Sequence, residues 1–180
     1  MSTQSWQTAE IPGPKHALVL TKPETAAALI KKAKKVLLVV GSEALNTRTK
    51  DGDLIDSAIR IGRTRKADVA LTAHMISESL KRGYEGGHSI SLFGLADRLR
   101  DPDWMGLEGK GRYDLVLFVG FSYYYEWLAL SGLKHFAEGL QTISLERFYQ
   151  PNAGWSFPNT QEQKWEEYLD KIIAEMEVSK

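Results

Sequence analysis

DPDWMGLEGKGRYDLVLFVGFSYYY, from Asp101 to Tyr125, is the stretch whose reading decides the fold. A glycine-rich loop leads into Asp114 to Gly120, the strongest strand signal in the chain. Its residues are apolar one after another, as expected for a strand covered on both faces. The strand ends in Gly120-Phe121-Ser122 and runs into a tyrosine triplet, Tyr123 to Tyr125. A buried strand, a glycine turn and then a helix is how an open α/β sheet presents its carboxyl ends to a ligand or partner.

Working outward, the same grammar recurs. Val36 to Val40 is a second continuous apolar run, ending at Gly41-Ser42. Before it, Thr21 and Glu24 read as a capping box with Pro23 in the tolerant first turn. Leu29, Ile30 and Ala33 give that helix its apolar stripe, and lysines 31, 32, 34 and 35 suit the negative end of its dipole. A helix from about Asp51 to Arg63 carries Leu54, Ile55, Ala58 and Ile59 on one face. Asp68 to Ala73 reads as a strand, Met75 to Lys81 as a helix, and Gly83, Gly86 and Gly87 open a loop.

Leu92 to Leu99 is a further helical turn or two. Tyr123 to Leu140 is helical, with a break expected near Ser131-Gly132, and Gln141 to Leu145 is the next strand. The last helix is expected from Asn159 as cap to Glu177, with Trp165, Leu169, Ile172, Ile173 and Met176 as its buried stripe. Ala17 to Leu20 reads as a short edge strand. Strands alternating with helices imply an α/β fold of Rossmann-like, doubly wound type: a mostly parallel sheet with helices on both faces. The length, 180 residues, suggests a single domain over 1–180. An extended segment is expected over about 1–16, where Pro12, Gly13 and Pro14 prevent a helix.

Composition narrows the function. Lys plus Arg and Asp plus Glu are 23 each, so nucleic-acid binding has little electrostatic support. The absence of cysteine excludes disulfides, a cysteine nucleophile and any cysteine-held iron–sulfur cluster in this chain. Redox work would need an organic cofactor or a partner's metal. The first fifteen residues hold no apolar run and the longest apolar stretch, Leu115 to Phe121, is too short to span a bilayer, which predicts a cytoplasmic protein.

The candidate ligand site lies where two glycine-ended strands finish: Gly41, Ser42, Gly120 and Ser122. Glycine lets a backbone approach a phosphate, and the following helix start attracts an anion; a plain strand-to-helix turn needs the same residues. Ordinary NAD binding is disfavoured. VVGSEALN holds one glycine, so the GxGxxG fingerprint is missing, and Glu43 sits where a pyrophosphate would. Thr72-Ala73-His74 offers no carboxylate to a ribose. No HxxxH or HExxH pair points to a metal, and no GxSxG elbow points to a serine hydrolase. His74, just past a strand end, is the best lone acid–base candidate.

Aromatics concentrate in two segments: Trp104, Tyr123, Tyr124, Tyr125 and Trp127 in one, Phe148, Tyr149, Trp155 and Phe157 in the other. Trp127 reads as core. The loop aromatics Trp104, Tyr149, Trp155 and Phe157 have three readings: a partner interface, self-packing of long loops, or stacking on a flavin.

Several motifs together carry a family resemblance. They are W-x-x-A-E-I-P-G-P-K at Trp6, KP-x-x-A-A at Lys22, VLLVVGSEA at Val36, D-P-D-W-x-G-L-x-G at Asp101, YDLVLFVG at Tyr113, LKHF at Leu133 and SLERFYQPNA-x-x-SFPN at Ser144. With them the chain resembles, over nearly its whole length, the epsilon subunits of the archaeal acetyl-CoA decarbonylase/synthase (carbon monoxide dehydrogenase) complex. The resemblance implies a fold similar to the NAD/FAD-binding domain of deoxyhypusine synthase. It implies an accessory, non-catalytic subunit beside the large nickel–iron carbon monoxide dehydrogenase subunit in an alpha-2 epsilon-2 assembly, which either stabilises that subunit or helps electrons pass to FAD. The family offers no catalytic residue to carry over, and self-association of the isolated chain is also expected.

Overall fold

The structure, a computed structural model, describes residues 13–50, 52–64, 67–72 and 74–178. The extended segment expected over 1–16 lies outside the described residues as far as residue 12, and residues 13–16 are irregular and exposed. In chain order the elements are β1 Leu18–Val19, α1 Pro23–Lys32, β2 Val36–Val40, β3 Arg48–Thr49, β4 Gly52–Asp53, α2 Leu54–Arg63, β5 Ala67–Leu71 and α3 Met75–Lys81. They continue with β6 Gly87–Ser89, α4 Leu92–Arg100, β7 Leu115–Val119, α5 Tyr123–Phe136, β8 Gln141–Ser144, β9 Trp155–Ser156 and α6 Glu162–Val178.

Seven strands form one sheet in the order β1-β9-β8-β7-β2-β5-β6, and every pairing in it is parallel. β3 and β4 make a separate antiparallel ribbon. The fold is the doubly wound α/β architecture. From β2 the chain steps outward through β5 to β6, then returns across the sheet to β7 on the other side of β2. That reversal places a topological switch point between β2 and β7, which pair from Val36↔Leu115 to Val40↔Val119.

The strand alternation builds a core on each face. Val36, Leu38 and Val40 point to the side covered by α1, α2 and α6, where Ile30, Ile55, Ile59, Leu169, Ile172 and Ile173 meet them. Leu37 and Val39 point to the side covered by α4 and α5, with Leu92, Leu95, Leu99, Leu130 and Leu133. Among the described residues no helix is long and apolar enough to cross a membrane.

Several local expectations give way to long-range pairing. α1 starts after Lys22 without a side-chain cap, so Thr21 and Glu24 do not form the expected box. At α2 the reciprocal arrangement exists instead, the Asp53 N–H donating to Asp56 Oδ2 at 3.0 Å. α6 starts at Glu162, not at Asn159. Asn159 Oδ1 accepts the Tyr149 N–H at 2.9 Å, pinning the β8–β9 connection. α5 runs unbroken through Ser131-Gly132 and stops at Phe136. Gly87, expected in a loop, begins β6, whose N–H and C=O groups pair with β5.

Candidate functional site

The switch point is built by two glycines pressed together. The Gly41 N–H donates to Val119 O at 2.9 Å and the Glu43 N–H to Gly120 O at 2.9 Å. A Cβ at Gly41 would lie 2.2 Å from Gly120 O, and one at Gly120 would lie 2.7 Å from the Ala44 methyl. Gly120 also holds φ +78°, a left-handed backbone that favours glycine. Both glycines therefore serve a close approach of the chain to itself.

Above them a hollow of about 710 Å³ opens at the carboxyl ends of β2, β7 and β8. Its wall includes Glu43, Arg48, Ser122, Glu146, Arg147 and Trp165. The volume is that of a small-molecule pocket. Both arginines already face carboxylates, Arg48 to Asp53 at 2.9 Å and Arg147 to Glu162 at 3.7 Å.

The floor of the hollow is its most unusual part. Glu146, two residues past β8, accepts the Phe121 N–H at 2.9 Å and is also reached by the Gly120 N–H. In a doubly wound fold the N–H groups after such a strand are where a phosphate is held. Here the chain's own carboxylate takes that place. Burial, with Glu43 nearby, pushes the Glu146 carboxyl up to about 7.

Behind it lies Glu126, fully buried in the first turns of α5. Burial and then the Glu146 charge raise its carboxyl well above the ordinary range. Ser144 and Gln150 bond to it, Gln150 Nε2 at 3.3 Å to Oε2 and at 2.9 Å to Tyr123 O. Glu126 Oε1 and Gln150 Oε1 are buried and have no hydrogen-bond partner among the described residues. With no cation beside it among the described residues, this buried carboxyl favours the neutral acid. The arrangement can store a proton; it does not align a nucleophile with a base and oxyanion donors.

Of the residues singled out in the sequence, Ser122 lines the hollow and precedes α5, its carbonyl accepting the Glu126 N–H with no side-chain cap bond, while Gly41, Ser42 and Gly120 form the turns beneath it. His74 is exposed at the start of α3, away from the hollow. Tyr149 and Phe157 are buried, Tyr149 donating its hydroxyl to Ala17 O at 2.7 Å. Trp104 is half-buried against Tyr113, and Trp155 packs on the core. Self-packing is thus what the loop aromatics Tyr149 and Phe157 do. Trp127, read as core, is half-buried. Among the described residues the large aromatic rings left in solvent are Tyr124, Tyr125 and Phe136 on α5, Phe93 on α4, and Phe148.

Glu126, Glu146 and Gln150 were not anticipated. One signal was available for the first: in α5 the buried stripe is Glu126, Ala129, Leu130 and Leu133, so a carboxylate opens an otherwise apolar i, i+3, i+4, i+7 pattern.

A family profile described as CO dehydrogenase beta subunit/acetyl-CoA synthase epsilon subunit matches residues 1–176. The chain belongs to this family. It is 37% identical over 170 residues to the acetyl-CoA decarbonylase/synthase complex subunit epsilon of Methanothermobacter thermautotrophicus, covering 94% of each chain. It is 37% identical over 174 residues to the protein of the same name in Methanothrix soehngenii, covering 95% of this chain and 90% of the other. Against subunit epsilon 1 of Methanosarcina barkeri it is 36% identical over 155 residues, 84% of this chain and 85% of the other. The family match spans both aromatic segments and the whole sheet, so the hollow and α5 lie inside the epsilon-type region.

Proposed function

We propose that this chain is an accessory epsilon subunit of an acetyl-CoA decarbonylase/synthase complex, with no catalysis of its own, that binds and stabilises the nickel–iron carbon monoxide dehydrogenase subunit. The observation that carries the reading is the match, over nine-tenths or more of both chains, to relatives named as subunits of that complex. The site geometry is consistent with it: the switch-point N–H groups are taken up internally by Glu146, and the hollow's arginines are paired. The partnership is tested by coexpressing a tagged chain with the dehydrogenase subunit. Copurification, with a longer half-life of CO oxidation than the dehydrogenase shows alone, is the expected result. A dehydrogenase that neither copurifies nor gains lifetime overturns the reading.

A second reading keeps a flavin-handling role. It rests on the hollow at the carboxyl ends and on Ser122 at its wall. A pyrophosphate there would have to displace Glu146 from the Phe121 N–H, because the residues as arranged do not form an open phosphate cradle. Titration of FAD into the chain, alone and with the dehydrogenase, decides it: low-micromolar binding weakened by Ser122→Trp supports the role, and no binding in either state removes it.

A further inference from the structure

α5 carries apolar side chains beyond the face it packs on the sheet. Ala129, Leu130 and Leu133 pack on the sheet side. On the outer side Tyr124 is 68%, Leu128 55% and Phe136 65% exposed, and Tyr125, toward α4, is 45% exposed. Tyr125, Leu128, Gly132 and Phe136 stand at i, i+3, i+7 and i+11, a second stripe at helical spacing. Apolar side chains of this size are normally covered, and among the described residues only the edge of α4 touches this stripe.

The stripe continues onto α4. Phe93 meets Tyr125 edge to face with centroids 4.8 Å apart, and the Arg100 guanidinium lies 5.8 Å from the Phe136 ring centroid. These two contacts close the ends of the α4–α5 seam. Between them in helix order sits Gly132, where an added Cβ would meet nothing within 4 Å. The result is a saddle with aromatic ends and a glycine at its low point.

Charge and area say what fits. From Tyr123 to Leu133 the single charged residue of α5 is Glu126, which is buried. Charges lie at the margins, with Asp97 and Arg100 on α4, Lys134 turned toward Lys15 O and Asn152, and Glu138 past the end of α5. An uncharged aromatic centre with a charged rim is the composition of a protein interface. The exposed parts of Phe93, Tyr124, Tyr125, Leu128 and Phe136 offer roughly 500 Å² of apolar surface, taking about 200 Å² per aromatic side chain. A stable interface needs about 800 Å² per partner, so this patch plus its rim is the size of an interface core.

We propose that the outer face of α5 with the adjoining edge of α4 receives an amphipathic helix of the nickel–iron dehydrogenase subunit, whose backbone crosses closest over Gly132. The assignment rests on the subunit reading above. Small residues at a crossing let two helix backbones approach, and flanking rings then fill the grooves on either side. The outer stripe is the anchor; the buried loop aromatics are not.

The test measures affinity for the purified dehydrogenase subunit by titration calorimetry. Wild type, Leu128→Glu, Gly132→Leu and the control Leu80→Glu are compared. Leu80 is exposed on α3, outside the stripe. Leu128→Glu and Gly132→Leu each weaken binding at least 10-fold, while Leu80→Glu leaves it unchanged. Gly132→Leu also raises the Tm by about 2–4 °C, since leucine is the better helix former and its Cβ meets nothing within 4 Å there. Binding lost while stability rises separates an interface from misfolding. Wild-type binding with both stripe variants equally tight overturns this inference and leaves the subunit reading standing. No wild-type binding overturns the subunit reading and this inference with it. A wild-type homodimer split by Leu128→Glu, with dehydrogenase binding untouched, gives the face to a second copy and also overturns it.

Discussion

Glu126 and Glu146 make the stability of this protein fall as pH rises through neutrality. The perturbation is Glu146→Gln, alone and with Glu126→Gln. Glutamine keeps the shape and can still accept the Phe121 N–H that now reaches Glu146 Oε1 at 2.9 Å. The Glu146 carboxyl is raised by burial from 4.5 to about 7. Between those values the unfolded chain has lost the proton and the folded chain keeps it, so the folded state binds more protons and stability drops with rising pH. The contribution is fully present below about pH 4.5 and lost by about pH 7. A shift of that size corresponds to about 3 kcal/mol at 1.36 kcal/mol per pH unit. Glu146 is part-exposed to the hollow, which trims this to about 2–3 kcal/mol. Glu126, fully buried and shifted the same way, adds to the loss. The assay is urea unfolding by tryptophan fluorescence at pH 5 and pH 8. With a slope of about 2 kcal/mol per molar, wild type loses about 1–1.5 M of midpoint that Glu146→Gln does not. The double variant flattens the profile further. Parallel pH profiles for all three proteins would refute the account of a protonated carboxyl pair under α5.

Three further outcomes follow from the packing. Phe157→Ala empties a fully buried site beside Tyr168, whose ring lies 5.3 Å away, and should cost about 3–5 kcal/mol in denaturant unfolding; a loss under 1 kcal/mol would mean that site collapses freely. Gly41→Ala drives a methyl onto Gly120 O, a backbone atom that cannot swing aside, so a loss above about 2 kcal/mol is expected, and an unchanged Tm would contradict the close glycine contact. Arg82 bonds Asp56 at 3.0 Å, Asp53 at 3.0 Å and Glu78 at 3.1 Å, tying α2 to α3. Arg82→Met should cost about 1–2 kcal/mol at low salt and less at 1 M salt; a salt-independent loss would assign the effect to packing.

The sequence determined, by local pattern, the elements whose burial is written in consecutive residues. Val36 to Val40 and Leu115 to Val119 are apolar throughout because each is covered on both faces, and they became the central pair β2 and β7. The alternation with helices then required a parallel, doubly wound sheet, and Gly41 and Gly120 marked its switch point before any coordinates. Tertiary structure decided what depends on residues distant in the chain. β6 and β9 span two or three residues and become strands because a neighbour's backbone pairs with them; Gly87 needs Val69, and Trp155 needs Ile143. Asn159 left its expected cap for the Tyr149 N–H, since a nearby unpaired donor outweighed a local preference. Residue type could not say which aromatics are spent on packing: Tyr149 and Phe157 went inside, and Tyr124, Leu128 and Phe136 stayed out. Glu126 and Glu146 are twenty positions apart, and their protonation is set by the low-dielectric site that α5 and the end of β8 enclose together, a property of the assembled volume that no stretch of sequence carries by itself.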